Sequence, residues 1–147
     1  MEKETSLFLE DQLCFPIYAT SRMITRMYQP FLEEIGLTYP QYLAMLVLWE
    51  KDEITVGQLG RRMLLNTNTI TPILQKLKQK KIITKQRSKE DERVVTVKLT
   101  EKGILLKEKA ASIPKNLIES INYSPDELMQ IREIMWKFLR SFEAEET

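Results

Sequence analysis

The periodicity of the chain changes from 3.6 to 2 inside residues 66–98, and no other stretch restricts the fold as much. Ile70, Ile73, Leu74 and Leu77 recur at i, i+3, i+4 and i+7, the single apolar stripe of an α-helix that must face a core. The opposite face carries Thr67, Asn68, Thr69, Thr71, Gln75 and Lys78. Short hydrogen-bonding side chains lie near its N-terminal end and cations further along, which suits base edges and phosphates. Beyond Lys80-Lys81, Ile83, Lys85 and Arg87 alternate with their neighbours. Val95, Val97 and Leu99 do the same with Val94, Thr96 and Lys98, so two strands are expected. The residues between them, Ser88-Lys89-Glu90-Asp91-Glu92-Arg93, are all polar and form a solvated hairpin tip.

Helix, strand, charged tip, strand is the order of a winged helix-turn-helix. Charge agrees with it. Residues 66–98 hold nine Lys+Arg against three Asp+Glu, a net of +6, whereas residues 1–65 hold six against nine and residues 99–147 seven against nine. The overall +1 therefore hides a basic segment between two acidic ones. Phosphate contact with counterion release favours such a surface for nucleic acid. A solvated lysine-rich helix end has the same charge, and the Thr/Asn-rich face of the helix before it favours the nucleic-acid reading.

A length of 147 residues is that of one domain, and 43% hydrophobic with 29% charged residues is ordinary globular composition. The absence of histidine excludes Ser-His-Asp and Cys-His catalysis and histidine-ligated metals. A single cysteine excludes an intrachain disulfide and a cysteine zinc cluster. No metal, no cofactor and no enzymatic activity are expected. The start, Met1-Glu2-Lys3-Glu4-Thr5-Ser6, is charged and no apolar run reaches the roughly eighteen residues of a membrane span. A soluble, cytoplasmic protein is the expectation.

After a polar lead-in, with Leu7, Phe8 and Leu9 available for a minor contact, Leu13, Ile17, Ile24 and Met27 on one side and Cys14, Tyr18, Ser21, Thr25 and Tyr28 on another predict a helix to about Gln29. Proline is tolerated in a first turn and costs about 3 kcal/mol in an interior, so Pro16 starts this helix between Gln12 and Phe15. Cys14 then falls in the first turn, where the helix dipole favours a thiolate; a lone cysteine is otherwise a small buried hydrophobe. Gly36 ends a short second segment. Thr38-Tyr39-Pro40-Gln41 has the form of a capping box and opens an almost wholly apolar helix through Leu43, Leu46, Val47 and Glu50, which must be buried. Thr55 to Gln58 repeats the box before Leu59, Met63 and Leu64, the first helix of the helix-turn-helix, with Gly60 allowing close packing. Thr100 starts a long helix running past Ile121, kinked at Pro114. Ser124-Pro125-Asp126-Glu127 caps a last helix with Leu128, Ile131, Ile134, Met135, Phe138 and Phe142 on one stripe. These helices exceed what a small winged helix can cover, and the surplus predicts a helical dimer interface.

Assembled in this order, the chain resembles the MarR family of dimeric winged-helix repressors along nearly its whole length. Thr69-Ile70-Thr71-Pro72-Ile73-Leu74-Gln75-Lys76-Leu77 is similar to that family's recognition helix, and Asp91-Glu92-Arg93 to its wing tip. Leu13-Cys14-Phe15, Tyr18, Tyr28 and Leu37-Thr38-Tyr39-Pro40-Gln41-Tyr42-Leu43 resemble the branch of one-cysteine organic hydroperoxide sensors. The resemblance implies a mainly α fold with a small β wing: a winged helix-turn-helix embedded in a helical dimerisation domain. Residues 1–37 would supply dimerisation and sensing helices, 38–99 the DNA-binding region and 100–147 the C-terminal dimerisation helices, as one structural domain. It further implies that Tyr28 and Tyr39 reach Cys14 from the other subunit, with Tyr18 on the same helix as Cys14, and that a hydroperoxide converts Cys14 to a sulfenic acid. A mixed disulfide with a low-molecular-weight thiol, a sulfenamide or overoxidation follows, and the two recognition helices lose their spacing on a pseudo-palindromic operator. Thr67, Asn68, Thr69 and Thr71 would read bases, Gln75 and Lys78 hold phosphate, and Arg93 enter the minor groove with Asp91 orienting it. Close relatives in that branch tend to carry Asp-Ser-Gly where this chain has Asn66-Thr67-Asn68, so its operator is expected to differ.

Three other functions compete with this one. A repressor of the same fold released by a small aromatic ligand would use Cys14 only to line the pocket. A thiol peroxidase would need a resolving cysteine that the chain lacks, and a winged helix serving protein contacts alone would not need the Thr/Asn-rich face.

Overall fold

The computed structural model describes residues 6–143; the charged lead-in at residues 1–5 and the end of the C-terminal segment, 144–147, lie outside the described residues. A short 3-10 turn, Leu9–Asp11, precedes α1 (Cys14–Ile35), α2 (Tyr39–Glu50), β1 (Ile54–Thr55), α3 (Val56–Met63), α4 (Thr67–Gln79), β2 (Ile83–Arg87), β3 (Val95–Leu99), α5 (Glu101–Ala110), α6 (Ile113–Glu119) and α7 (Pro125–Glu143). The fold is mainly helical with one small antiparallel sheet. Two compact units divide it, Met1–Ala111 and Ser112–Thr147. Among the described residues no helix is long and apolar enough to cross a membrane.

Cys14 is the first residue of α1, and Pro16 falls in its first turn, where the missing N–H has no intrahelical partner to lose. The expected end near Gln29 and a separate segment up to Gly36 are corrected by the structure. One helix runs on through Pro30 to Ile35. Pro30 removes a hydrogen bond to the Arg26 carbonyl, yet the turn beyond it is held at its far end. Gly36 adopts a left-handed φ of 71°, its N–H donates to the Glu33 carbonyl at 3.2 Å, and the Leu37 N–H donates to the Leu32 carbonyl at 3.0 Å. This pair of bonds is the Schellman ending of a helix. Leu32 and Leu37, which bracket it, are both buried. Burial and end bonds together outweigh the proline.

The apolar α2 is buried on most of its circumference, with Tyr42, Ala44, Met45 and Leu48 at 2% exposure or less and Val47 also buried. The expectation of full burial is corrected at Leu46, which stays 41% exposed on the side that carries Glu50, and at Leu43, which is half-buried. Its N-terminus carries the full capping box: the Gln41 N–H donates to Thr38 Oγ1 and the Thr38 N–H to Gln41 Oε1. Thr55 and Gln58 form the same reciprocal pair at the start of α3. Helices α1, α3, α4 and α5 all pack on α2. The turn from α3 to α4 closes through Leu64, left-handed at φ 55°, and through the Leu65 N–H, which donates to the Gly60 carbonyl at 2.9 Å. A Cβ on Gly60 would stand 2.8 Å from the Leu65 carbonyl oxygen.

The wing pairs β2 with β3 in antiparallel register, Ile83 opposite Leu99 and Arg87 opposite Val95. A third strand that the periodicity does not announce, β1, lines the other edge of β3 with Ile54 opposite Val97. Asp52 Oδ1 accepts from the Leu99 N–H at 2.9 Å and from the Glu53 N–H at 2.8 Å, pinning the wing's root to the end of α2. Downstream, the expected single helix kinked at Pro114 is instead two. Helix α5 stops at Ala110, and α6 restarts with Pro114 in its first turn. The Ala110 carbonyl has no N–H at Pro114 to receive, so a helix boundary costs less there than an interior proline. Ser124 and Glu127 exchange hydrogen bonds at the start of α7, and no residue of α7 is buried.

Gly60→Ala is expected to lower stability by roughly 1–3 kcal/mol, the usual cost of overpacking. Urea unfolding followed by circular dichroism measures it, and an unshifted midpoint would mean that the α3–α4 turn yields freely.

Candidate nucleic-acid interface and thiol site

Helix α4 buries Ile70, Leu74 and Leu77 and turns Thr67, Asn68, Thr69, Thr71, Gln75 and Lys78 outward, all six exposed. Asn66 caps the helix: its Oδ1 accepts the Thr69 N–H at 3.0 Å and the Thr69 hydroxyl at 3.1 Å. The Thr71 hydroxyl donates to the Thr67 carbonyl at 2.8 Å. With both hydroxyl protons committed, Thr69 and Thr71 present acceptor lone pairs and methyl groups. Those groups complement the amino donors of adenine and cytosine and the thymine methyl in a major groove.

At the wing tip Arg93 folds onto Asp91. Its Nε donates to Oδ1 at 3.0 Å and a terminal nitrogen to Oδ2 at 3.2 Å, while its backbone N–H also meets Oδ1 at 3.1 Å. These bonds hold the Asp91 carboxyl below its ordinary range, the guanidinium contributing most. The Arg93 side chain keeps 91% of its exposure, so the fork is aimed without being covered. Arg87 donates to the Glu92 carbonyl, and Ser88 Oγ accepts from the N–H groups of Glu90 and Asp91.

The cations of the basic segment are not equivalent. Lys98 pairs with Glu53 at 2.9 Å. Lys80 turns inward, donating to the Gly36 carbonyl and to Gln41 Oε1. Among the described residues Lys76, Lys78, Lys81, Lys85 and Lys89 have no ion pair and no side-chain hydrogen bond, which leaves them to face an external anion.

Cys14 is exposed in the chain, so it is not the small buried hydrophobe that a lone cysteine usually is. Tyr18, one turn on, lies 62% exposed, with the Arg22 guanidinium 4.7 Å from its ring centroid. Tyr28 and Tyr39 do come together, ring centroids 4.9 Å apart, and Tyr42 joins them 5.6 Å from Tyr28. Burial, then the neighbouring phenols Tyr39 and Tyr42, push Tyr28 up to about 12. Burial raises Tyr39, and burial followed by Tyr39 raises Tyr42. All three are therefore neutral O–H donors near neutral pH. Tyr28 follows Cys14 by fourteen residues on α1, about 20 Å along a helix. The four predicted sensing residues thus form two groups within one chain. An open groove of about 470 Å³ runs beside Tyr39, lined also by Arg22, Arg26, Gln29, Glu33 and Thr38.

The parts taken by Tyr42 in the phenol cluster, by Lys80 and Gln41 at the Gly36 corner and by Asp52 at the wing's root are not singled out by the sequence pattern. Tyr42 is one more large residue in an almost wholly apolar helix and does not stand out there. Gln41 and Asp52 are visible only as cap and terminator, and nothing local distinguishes Lys80 from the lysines around it.

The family model described as transcriptional regulator SarA/Rot matches residues 26–110. The organic hydroperoxide resistance transcriptional regulator of Bacillus subtilis (strain 168) is 44% identical over 133 residues, which span 90% of each chain. Among solved structures, reduced AbfR of Staphylococcus epidermidis bound to DNA matches with a TM-score of 0.82 at 28% identity, covering 95% of each chain. Overoxidised AbfR bound to DNA matches with a TM-score of 0.74 at 32% identity, covering 91% of this chain and 94% of that one.

A phenol whose folded value rises from 10.0 to about 12 adds stability that is complete below pH 10 and is lost as pH climbs through 12. In a spectrophotometric titration, phenolate absorbance should therefore still be rising near pH 12, and Tyr28→Phe should remove that last step. Identical curves for the two proteins would refute the shared burial of the cluster.

Proposed function

Because the chain belongs to the MarR/SarA family of winged-helix transcriptional regulators, we propose that it is a dimeric, cytoplasmic DNA-binding repressor that leaves its operator when an organic hydroperoxide oxidises Cys14. The observation that carries the reading is the separation of thiol and phenols. Cys14 stands exposed at one end of α1, and Tyr28, the α1 member of the tyrosine cluster, lies about 20 Å along the same helix. On this reading a second copy, its α1 antiparallel to the first, brings Tyr28 and Tyr39 against Cys14. Exposed apolar side chains support such a copy: Leu13 just before α1, Phe15 and Met23 on it, and separately Ile131, Ile134 and Phe142 on α7. Faces of this kind mark association surfaces.

In the reduced protein the phenols donate to the sulfur and the two α4 helices sit in successive major grooves, roughly 34–36 Å apart. Thr67, Asn68, Thr69 and Thr71 face base edges, Gln75 and Lys78 phosphate, and Arg93, aimed by Asp91, the minor groove. The thiolate attacks the terminal peroxide oxygen, the O–O bond breaks, and the alcohol departs with a proton, leaving a sulfenic acid on Cys14. A small external thiol then forms a mixed disulfide and releases water, since the chain has no second cysteine. The overoxidised relative is described as bound to DNA, which favours the bulky mixed disulfide over overoxidation as the releasing form. On this reading Cys14 is a switch rather than an enzyme and needs no metal or cofactor; multiple turnovers of hydroperoxide per subunit with a thiol reductant would favour a peroxidase instead.

The groove beside Tyr39 supports a second reading, release by a small aromatic ligand, because its volume is that of a ligand site. Cys14 is not among the residues that line it.

Fluorescence anisotropy of an operator selected from random DNA, under hydroperoxide and a small thiol, separates the two. Wild type should release while Cys14→Ser holds; release by both proteins would transfer the function to a ligand. On the same operator, Arg93→Ala should weaken binding and reduce the slope of log K against log salt by about 0.9 for each phosphate no longer neutralised. A variant indistinguishable from wild type would remove Arg93 from the interface.

A further inference from the structure

Lys80 belongs by charge to the surface that meets DNA, but its geometry gives it different work. It ends α4, and its Nζ donates to the Gly36 carbonyl at 2.6 Å and to Gln41 Oε1 at 2.7 Å. Gln41 is 5% exposed, the one polar side chain buried with the core among the described residues, and its Oε1 also accepts the Thr38 N–H. Lys102 Nζ donates in turn to the Lys80 carbonyl at 3.0 Å. One ammonium therefore joins the C-terminal end of the recognition helix to the end of α1 and the start of α2, with two of its three protons engaged by groups of the same chain.

We propose that Lys80 is a positioning residue that sets the direction of α4 by clamping it to the α1–α2 corner, and is not a phosphate contact. The proposal rests on the reading of α4 as the DNA-recognition helix. Burial of Leu74 and Leu77 holds α4 against the core, but the hydrophobic driving force is itself non-directional. Hydrogen bonds to a charged group are directional and stronger. The N-terminal end of α4 is fixed by Asn66 and the C-terminal end by Lys80. Burial, with Lys76 and Lys102 nearby, lowers the pKa of this ammonium, as expected of a group drawn away from solvent. The corner it grips leads directly into Tyr39, so the tyrosine cluster and the recognition helix share one joint.

The test compares wild type, Lys80→Met, Lys80→Arg and Lys78→Met by operator anisotropy over a salt series. Lys80→Met should weaken binding about tenfold, near the worth of one charge-assisted hydrogen bond, with an unchanged salt slope. Lys78→Met, the phosphate-type reference, should lower that slope by about 0.9, and Lys80→Arg should keep most of the affinity. A slope lowered in Lys80→Met as in Lys78→Met, or an unchanged affinity, overturns the proposal. Amide hydrogen exchange without DNA provides a readout that does not depend on operator binding. In folded Lys80→Met, exchange should quicken at residues 36–38 and in the last turn of α4 together, and not in α7. Unchanged exchange at those positions overturns the clamp even if DNA binding itself fails for wild type.

Discussion

Helix α2 is apolar over nearly its whole length, and the first unit is the arrangement that removes most of it from water, leaving a strip with Leu46 and Glu50 exposed. Tyr42, Ala44, Met45 and Leu48 occupy successive sides of it and are all buried, so neighbours must approach from several directions. Helices α1, α3, α4 and α5 do so. Burying side chains of this size contributes about 1.5–3 kcal/mol each for the larger ones. The same helix begins with Tyr39, holds Tyr42 in the phenol cluster, and reaches α5 near its end, where Trp49 Nε1 donates to the Gly103 carbonyl. The groups suited to sensing and the helix suited to reading DNA are therefore anchored on one buried rod.

The polar surface of α4 is organised before any ligand arrives. Asn66 and the Thr67 carbonyl hold the hydroxyl protons of Thr69 and Thr71, and Asp91 holds the guanidinium of Arg93. Rotamers that are already restricted cost less entropy to bind with. The three free-standing lysines of α4 and its turn, Lys76, Lys78 and Lys81, supply charge without such restriction. Directional groups and diffuse charge are thus carried by different residues.

Local signals are legible in the sequence. The capping boxes at Thr38, Thr55 and Ser124, the α4 stripe and the two wing strands each need only a few neighbouring residues, and each appears where the pattern places it. Proline misleads in both directions. At Pro30 the burial of Leu32 and Leu37 overrides a local cost, while at Pro114 no such end bonds intervene and the helix divides. Strand β1 has two residues, too few for an alternation to register. The inward turn of Lys80 depends on Gly36, forty-four positions away, and no local pattern encodes that pairing. For the thiol site, residue types and the first-turn position of Cys14 can be anticipated, but its exposure is seen only in the fold, and the clustering of Tyr42 with Tyr28 and Tyr39 follows from how α1 crosses α2.

The distance along α1 between Cys14 and Tyr28 has a consequence for how such a regulator responds to its own abundance. If the two meet only across copies, a lone chain has neither a completed thiol site nor a second recognition helix. Grip and sensitivity would then vanish together as concentration falls below the point of association, by simple mass action. On the function proposed above, the level at which the cell maintains the protein would set the threshold of the alarm as well as the depth of repression.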